Sequence, residues 1–308
     1  MAYILILMRY NASDHSHSRM KINIYLGELA AYHGEDFMNM TDAKATIGII
    51  GGSGLYEFFE GDVNEISVET EYGHPSDKIS VGQMFGKQIS FVPRHGKKHS
   101  LPPHKIPYTA NIAALHSLGV KQIISPCAVG SLKSEIEPGH FVICDQFVDR
   151  TYGRAQTFFD GPSVAHIETA DPYCAELRRL AIDSASRLGL KAHPKGTVVV
   201  VQGPRFSSTA ESLWFSRMGW DLVNMTQYPE VALAAELGIC YLNISVVTDY
   251  DVGVYAKHGI APVSIDQVMA IFKQSTEKLK TLISEIIQNV PSGCACECKQ
   301  RAERAKIT

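Results

Sequence analysis

The chain has 308 residues, of which 45% are hydrophobic and 20% are charged, an ordinary composition for a globular protein. Its formal net charge of -3 and the lack of long Lys and Arg runs argue against a nucleic-acid-binding surface. No apolar stretch reaches the roughly 18 residues that a membrane-spanning helix needs, so no membrane association is expected.

The two ends of the chain differ from its middle. We expect an N-terminal extension over residues 1–42, an α/β domain over 43–290 and a cysteine-containing tail over 291–308. The apolar run at residues 2–8 lacks the preceding basic residues and the small-residue cleavage site of a secretory signal, so a cytoplasmic location is expected. A start codon assigned too early would explain the extension.

The seven cysteines fall into two groups. Four lie singly inside apolar segments and are expected to be small buried residues: Cys127, Cys144, Cys174 and Cys240. The other three form the pattern C-A-C-E-C near the C-terminus: Cys294, Cys296 and Cys298. This pattern is a weak zinc signal, because zinc sites prefer C-x-x-C pairs and a fourth ligand. A disulfide is an equally good interpretation, and the choice stays open.

Apolar runs that end at Gly or Pro, or at a change in polarity, predict six buried strands. They cover residues 45–50, 88–92, 121–125, 141–144, 196–201 and 239–247. The last run is long and apolar, as expected for a central strand that is covered on both faces.

Helical patterns lie between these strands. Residues 107–118 have apolar side chains at helical spacing, and Asp171-Pro172 predicts the start of a helix that runs to about Leu188. Two pairs with capping-box spacing predict further helices, the second of them long and amphipathic: Ser208 with Glu211, and Ser264 with Gln267. This alternation, without an internal repeat or a linker, predicts a single α/β domain.

Five short segments carry the functional hypothesis. In the first, Gly48–Gly54, glycines allow the backbone to turn and direct its N–H groups toward an anion, and Ser53 adds a hydroxyl. A plain strand-ending turn is the alternative. The dinucleotide-binding pattern G-x-G-x-x-G is incomplete, because the third glycine is missing after Gly54.

The next three segments offer donors and apolar surfaces. Arg94 and His95 lie in a cationic segment at the end of a strand, where Arg can bind a phosphate with two N–H groups, although a solvated basic loop is the alternative. Phe206 could lie against a flat ring or fill space beneath a helix cap. Thr226 could donate to phosphate and Met225 could pack against a sugar, although such a Met is usually a core residue.

The fifth segment, Thr248–Asp251, follows the long apolar strand. Asp249 and Asp251 are two residues apart, so an extended backbone points both carboxylates to one face. Beside a substrate this pair can accept hydrogen bonds and transfer a proton. A solvent-facing acidic turn is the alternative.

In their order and combination, these segments resemble the methylthioadenosine phosphorylase branch of the trimeric purine nucleoside phosphorylases. Residues 145–151 also match that branch, and the resemblance covers roughly residues 45–290. It implies a mixed β-sheet, partly closed into a barrel and flanked by helices. It also implies phosphorolysis of a 6-aminopurine nucleoside, with 5′-methylthioadenosine as the best single substrate. Inorganic phosphate would be the co-substrate, and no metal or organic cofactor is implied.

The resemblance assigns phosphate binding to six positions: Ser53, Arg94, His95, Cys127, Ala128 and Thr226. The family usually has Ser or Thr where this chain has Cys127. Because a thiol is a weaker donor than a hydroxyl, we expect the phosphate contact there to come from the backbone and the phosphate KM to be modestly raised.

The resemblance also assigns the nucleoside side. Asp251 would protonate purine N7 and Asp249 would accept from the 6-amino group, which makes them the catalytic pair. The other substrate-binding positions are Phe206, Met225 and Tyr250.

Three positions would set specificity, namely Ser207, Ile265 and Val268. The last two are aliphatic and would favour a 5′-methylthio group over a hydroxyl by only about 1–3 kcal/mol, so adenosine should react as well. His166 resembles a residue that the family contributes across a subunit interface, which implies a homotrimer or a dimer of trimers.

Three alternatives stay open. One is a purine nucleoside phosphorylase of broader specificity. A second is an NAD-dependent α/β oxidoreductase, against which the missing glycine and the Arg94-His95 pair argue. The third is a non-catalytic nucleoside-binding protein, against which the competent side chains at every expected catalytic position except Cys127 argue.

Overall fold

A computed structural model of the chain describes residues 44–52, 59–254, 265–291, 293 and 295–307. These residues belong to one compact unit that spans Met38–Thr308. The predicted N-terminal extension and Ser53, Ser264 and Cys294 lie outside the described residues, and the side chains of 265–269 are not described either. Within the described part, no helix is both long enough and apolar enough to cross a bilayer.

The described elements alternate along the chain as expected of an α/β protein. The strands are β1 (Ile47–Gly51), β2 (Glu60–Ile66), β3 (Ile79–Met84), β4 (Lys87–Pro93), β5 (Gln122–Ser131), β6 (Phe141–Val142), β7 (Gln146–Arg150), β8 (Val164–Ala165), β9 (Ala192–His193), β10 (Thr197–Val201), β11 (Leu222–Asn224), β12 (Cys240–Tyr250) and β13 (Lys306–Ile307). The helices are α1 (Tyr108–Ser117), α2 (Ala175–Arg187), α3 (Thr209–Arg217), α4 (Gln227–Glu236), α5 (Ile265–Asn289) and α6 (Cys298–Ala305).

Strand β5 is the centre of an 11-stranded mixed sheet. Strand β12 pairs with it in parallel from Gln122 to Ser131. On the other edge, β1 pairs with Gln122–Ile124 and β11 pairs with Gly130–Ser131. The sheet therefore divides between β1 and β11, and the part of β5 between these two pairings borders the division. The large mixed sheet with flanking helices confirms the predicted fold class.

The two faces of β12 have different surroundings. Leu242, Ile244 and Val246 pack into an apolar core with α2 and α5. The alternate residues Asn243 and Ser245 point to the opposite face, and both are fully buried. The prediction that this central strand is covered on both faces is confirmed, and one of the two buried faces carries a polar row.

All six predicted strands are confirmed, with shifted ends, and the capping box at Ser208 and Glu211 is present. The predicted start of α2 is wrong. This helix begins at Ala175, because Cys174 is extended and its backbone N–H donates to the carbonyl of Tyr241 at 3.0 Å. The carbonyl of Asp171 accepts from Arg301, so tertiary contacts hold this segment out of the helix.

The C-terminal segment packs on the loop that leads into β12. A Cβ atom at Gly238 would lie 3.2 Å from the Cα atom of Lys299 in α6. The carbonyl of Ala305 accepts from the backbone N–H of His166 at 2.9 Å, and β13 pairs with β8. The end of the chain is therefore built into the fold.

Gly238→Ala should loosen this packing. Both Gly238 and Gly189 follow a helix with positive φ, at +69° and +64°, so alanine at either position strains the backbone by about 1 kcal/mol. Gly189 has no atom within 4 Å of its added Cβ, which makes Gly189→Ala the matched control. Urea unfolding should show a larger loss of the free energy of unfolding for Gly238→Ala than for Gly189→Ala. Equal losses in the two variants would contradict the described contact.

Candidate active site

A cavity of about 670 Å³ opens at the division of the sheet. Its walls come from the carboxyl ends of the parallel strands β1, β4, β10 and β12, from the middle of β5, and from the segment after β11. α/β proteins commonly bind ligands at such strand ends. The sequence-predicted residues that line it are Arg94, His95, Cys127, Ala128, Phe206, Ser207, Met225, Thr226, Asp249 and Asp251.

Arg94 is fixed by a buried ion pair. Its Nε donates to Glu230 Oε1 at 2.6 Å, and its Nη2 lies 3.2 Å from Glu230 Oε2. Nη2 also donates to Ser125 Oγ at 2.6 Å and to the carbonyl of Ile50 at 2.9 Å. Nη1 donates to the carbonyl of Pro126 at 3.0 Å. The guanidinium is held in position by these hydrogen bonds, and Arg94 still lines the cavity.

Arg94 keeps its positive charge although it is buried. Burial alone would lower the pKa of Arg94, but the carboxylate of Glu230 outweighs it and raises the pKa above the ordinary value. Arg94 therefore carries a permanent positive charge at one end of the cavity. It was predicted to grip phosphate with two N–H groups, and the structure shows that most of its donors already have protein partners.

His95 is a neutral imidazole that faces the cavity. Its Nδ1 lies 2.8 Å from the carbonyl of Leu101, which can only accept, so Nδ1 carries the hydrogen and Nε2 is left as an acceptor. Burial lowers the pKa of His95 to about 4. The ring stacks on His99 with 4.4 Å between centroids. An anion that binds here must either donate a hydrogen bond to Nε2 from a proton of its own or raise the pKa of His95 so that the imidazole becomes protonated.

Asn224 connects the start of α4 to β5. Its Oδ1 accepts from the backbone N–H groups of Thr226 and Gln227, both at 2.7 Å. Its Nδ2 donates to the carbonyl of Ala128 at 3.0 Å. The positions of Thr226 and Ala128, both on the cavity wall, are therefore coupled through one amide side chain.

The thiol of Cys127 belongs to a buried polar network. Its Sγ accepts from Asn243 Nδ2 at 3.2 Å and from Gln227 Nε2 at 3.5 Å. Burial raises the pKa of Cys127, so the group stays a thiol at neutral pH. This arrangement agrees with the expectation that the thiol itself is a poor phosphate donor.

Asp249 and Asp251 form an acidic pair in the cavity wall, in which Asp251 is buried and Asp249 is half-buried. Strand β12 ends at Tyr250, and a register shift between Val247 and Asp249 adjusts the direction of its last residues. Asp249 Oδ1 accepts from Thr248 Oγ1 at 2.7 Å. Within the described residues, two side-chain atoms of the cavity lining, Asp251 Oδ2 and Ser207 Oγ, are buried without a hydrogen-bond partner. Such atoms are ready to meet a ligand.

Desolvation dominates the electrostatics of this pair. Burial raises the pKa of Asp249 to about 6, and the neighbouring charge of Asp251 adds to the effect. Burial also raises the pKa of Asp251. One carboxyl group that ionises near neutral pH beside another with a raised pKa can supply both an acceptor and a proton donor.

Two predicted positions do not line the cavity of this chain. Tyr250 lies between the two aspartates on an extended backbone, so its side chain points the other way, and its hydroxyl donates to the carbonyl of Ser134 at 3.0 Å. His166 is exposed and follows β8. Ile265 and Val268 lie in α5, and their side chains are outside the described set, as is the whole of Ser53.

Sequence reasoning missed several residues that organise the site. Glu230 has no local pattern that separates it from an exposed helical carboxylate. Arg154 donates to the carbonyls of Tyr228 at 2.6 Å, Met225 at 2.9 Å and Gln202 at 3.0 Å, and so joins the start of α4 and the segment before it to the segment after β10. The segment His99–Pro103 also lines the cavity, and its paired prolines were the only signal of a rigid wall.

Glu230→Gln should strongly destabilise the fold. It leaves the buried guanidinium of Arg94 without its counter-charge, and breaking a buried ion pair costs about 3–5 kcal/mol. Glu285→Gln, which breaks the more exposed pair with Arg187 at 3.0 Å, is the control and should cost less than about 1 kcal/mol. Equal free energies of unfolding for the two variants would contradict the importance of the pair.

Asp249→Asn should change how stability depends on pH. The pKa of Asp249 is raised from 3.8 in the unfolded chain to about 6 in the fold. Its stabilising contribution is therefore complete below the unfolded pKa and is lost as pH rises through the folded one. The variant should gain up to about 3 kcal/mol relative to the wild type between about pH 4 and about pH 8. Chemical unfolding across this range measures the gain, and a pH-independent difference would refute it.

Known proteins of one family match this chain over most of its length. The family model for the phosphorylase superfamily matches residues 46–288. S-methyl-5′-thioadenosine phosphorylase of Thermofilum pendens is 48% identical over 265 residues, which cover 86% of this chain and 99% of the relative. The enzyme of the same name from Pyrococcus furiosus is 50% identical over 252 residues, which cover 82% of this chain and 95% of the relative.

A solved structure also agrees with the fold. It is a variant of adenosine/methylthioadenosine phosphorylase from Schistosoma mansoni in complex with methylthioadenosine. It superposes with a TM-score of 0.78 at 33% identity, covering 85% of this chain and 99% of that one. The described fold, the cavity at its strand ends and these matches agree, and the chain belongs to the phosphorylase superfamily.

Proposed function

We propose that this chain cleaves 5′-methylthioadenosine with inorganic phosphate and releases adenine and 5-methylthioribose 1-phosphate. The observation that carries the proposal is one cavity that combines anion-binding groups with a carboxylate pair largely shielded from water, Asp249 and Asp251. The similar proteins from Thermofilum pendens and Pyrococcus furiosus bear the name of this activity. We propose that adenosine reacts as well, in line with the name of the Schistosoma mansoni relative.

The reaction needs two kinds of assistance. Phosphate attacks C1′ of the nucleoside while the bond to purine N9 breaks, so positive charge develops on the sugar and negative charge on the base. The enzyme must therefore position an anionic nucleophile and neutralise the leaving purine. Because phosphate is itself the nucleophile, the proposal invokes no metal and no organic cofactor.

We assign the phosphate side to Arg94, His95, Thr226 and the backbone at Cys127 and Ala128. Arg94 supplies fixed positive charge, and its buried partners spare the site any reorganisation when phosphate binds. His95 Nε2 can accept a hydrogen bond from a protonated phosphate oxygen. Ser53 completes this set in the proposal, because its neighbour Gly52 lines the cavity.

We assign the base side to the aspartates. Asp251 has a raised pKa and a buried Oδ2 without a partner, so it can hold a proton and deliver it to purine N7. Asp249 ionises near neutral pH and can accept from the 6-amino group. A 6-oxo group would instead set two acceptors against each other, which leaves polar atoms unpaired.

The remaining contacts complete the nucleoside site. Phe206 is 57% exposed at the cavity, where a ring could cover part of the nucleoside, and Met225 would pack beside it. Ser207, Ile265 and Val268 remain the proposed specificity positions, and Tyr250 would act only through the backbone. His166 is exposed, as a residue that serves a neighbouring subunit would be, and we propose a homotrimer or a dimer of trimers.

A purine nucleoside phosphorylase of broader specificity is the remaining alternative, and it differs only in the bases and 5′ groups accepted. The oxidoreductase alternative is set aside because the chain belongs to the phosphorylase superfamily. A nucleic acid or a membrane surface has no role in the proposed reaction.

Release of free base from methylthioadenosine, adenosine and inosine, with and without phosphate, tests the proposal. We expect phosphate-dependent adenine from the first two and little hypoxanthine from the third. The ratio of kcat/KM for the two adenine nucleosides then measures the 5′ preference. Activity that does not depend on phosphate would refute phosphorolysis, and strong inosine cleavage would refute the role given to Asp249.

Asp249→Asn should shift base preference toward 6-oxopurines. An amide can donate to a 6-oxo group, whereas a carboxylate can only accept. We expect the adenosine-to-inosine ratio of kcat/KM to fall by at least about tenfold, equivalent to one hydrogen bond of about 1.4 kcal/mol. Asp145→Asn, outside the cavity, is the control and should leave the ratio unchanged. An unchanged ratio in Asp249→Asn would refute the assignment.

Cys127→Ser should lower the phosphate KM a few-fold, because a hydroxyl is the stronger donor. Cys144→Ser is the matched control, since that thiol lies 3.9 Å from Gln227 Nε2 in the same buried network but does not line the cavity. Steady-state kinetics at saturating nucleoside measures the effect. If phosphate KM is the same in both variants and the wild type, the weak-donor hypothesis is wrong.

A further inference from the structure

Four cysteines converge where the C-terminal segment meets the core. The Sγ atoms of Cys174, Cys240, Cys296 and Cys298 all lie within 4.8 Å of one another. Three of these residues are buried, and Cys296 is half-buried. From the sequence alone, Cys174 and Cys240 are expected to be separate core residues, and the tail pattern lacks a fourth ligand. The fold supplies the missing partners from positions more than fifty residues away.

Each cysteine is held by a different piece of backbone. Cys174 caps α2, Cys240 begins β12, Cys298 begins α6, and Cys296 lies just before α6. The surrounding side chains are apolar and belong to the core between the sheet and α2 and α5. The four thiols are therefore largely shielded from water. The elements that carry them are also held in place by the packing of the apolar core.

The dimensions suit a tetrahedral metal centre. Zinc–sulfur bonds of about 2.3 Å place the sulfur atoms of a tetrathiolate site about 3.8 Å apart. The Sγ atoms of Cys240 and Cys296 are 3.3 Å apart, and no two of the four Sγ atoms are more than 4.8 Å apart. Only small movements of the sulfur atoms are therefore needed to reach the tetrahedral geometry. Two disulfides would draw the sulfur atoms into separate pairs, whereas here every sulfur is near the other three.

The charge of the surroundings also suits thiolates. Arg301 Nη2 lies 3.5 Å from Cys298 Sγ and donates to it, as an outer-shell group does for a metal-bound thiolate. The backbone N–H of Ala295 donates to Glu176 Oε2 at 3.0 Å, which fixes the segment that carries Cys296.

We propose that Cys174, Cys240, Cys296 and Cys298 bind one zinc ion in a structural tetrathiolate site. Binding of one Zn²⁺ to the four thiols releases their four protons to solvent, and the step needs no oxidant or reductant. The ion joins α6 to α2 and β12. Through α6 it also supports β13, its partner strand β8 and the backbone contact at His166.

Metal analysis of the full chain, expressed with zinc and purified under reducing conditions, tests the proposal. We expect one zinc per chain by mass spectrometry of the metal and seven alkylated cysteines after denaturation without reductant. Disulfide-linked peptides among the four cysteines, together with a zinc content no higher than that of the variants below, would overturn it.

Single variants identify the ligands. Cys298→Ser and Cys240→Ser should lose zinc and unfold at a lower temperature. Cys144→Ser, at a buried thiol outside the cluster, should keep both the metal and the wild-type midpoint. Cys294→Ser should also keep the metal. Loss of zinc in either control, or its full retention in both ligand variants, would contradict the assigned set.

Cobalt substitution keeps the test valid if the ligand variants do not fold. The wild-type chain loaded with Co²⁺ should show the intense visible bands and the thiolate charge-transfer bands of a tetrahedral sulfur site. Addition of Zn²⁺ should bleach them at one equivalent. Weak octahedral bands would overturn the proposal. None of these readouts depends on phosphorolysis, so the zinc site and the proposed function can fail separately.

Discussion

The buried ion pair between Arg94 and Glu230 is the constraint on which the site depends. Removing a guanidinium from water is costly unless all of its N–H groups find acceptors, and here acceptors come from β1, β5 and α4. Tyr241 adds a hydrogen bond from β12 to Glu230 Oε2 at 2.9 Å. Satisfying one charge therefore fixes the relative positions of the elements that surround the cavity.

Burial favours the neutral form of each ionisable group that faces the cavity, and the outcome depends on the partner of that group. Arg94 stays charged because the carboxylate of Glu230 outweighs the effect of burial, whereas His95 stays neutral because burial dominates and its hydrogen-bond partner is only a carbonyl. Burial raises the pKa of Asp249 and Asp251, which lack a nearby cation among their hydrogen-bond partners in the described part. Arg94 supplies a fixed positive charge at one end of the cavity, and Asp249 and Asp251 supply carboxyl groups that can gain or lose a proton. This arrangement suits a reaction in which negative charge moves from phosphate to a purine.

Local sequence patterns were sufficient to predict many of the secondary-structure elements and much of the cavity wall. They could not predict contacts between residues that are far apart in the sequence. Apolar runs located β1, β4, β5, β10 and β12 but not β7, whose residues Gln146–Arg150 do not form an apolar run. The polar segments after these runs supplied most of the cavity wall. The predicted start of α2 was wrong because the backbone N–H of Cys174 donates to the carbonyl of Tyr241 in β12. Glu230 and the thiol cluster were missed for the same reason, since their partners lie far away in the sequence and only the fold brings them together.

The central claim is that the enzyme transfers the 5-methylthioribosyl group to phosphate rather than to water. Phosphorus NMR of the enzyme with methylthioadenosine and inorganic phosphate tests it most directly. The account predicts that the inorganic phosphate signal is replaced by that of a sugar 1-phosphate in an amount equal to the adenine released. Adenine released with the inorganic phosphate signal unchanged would mean hydrolysis and would contradict the account.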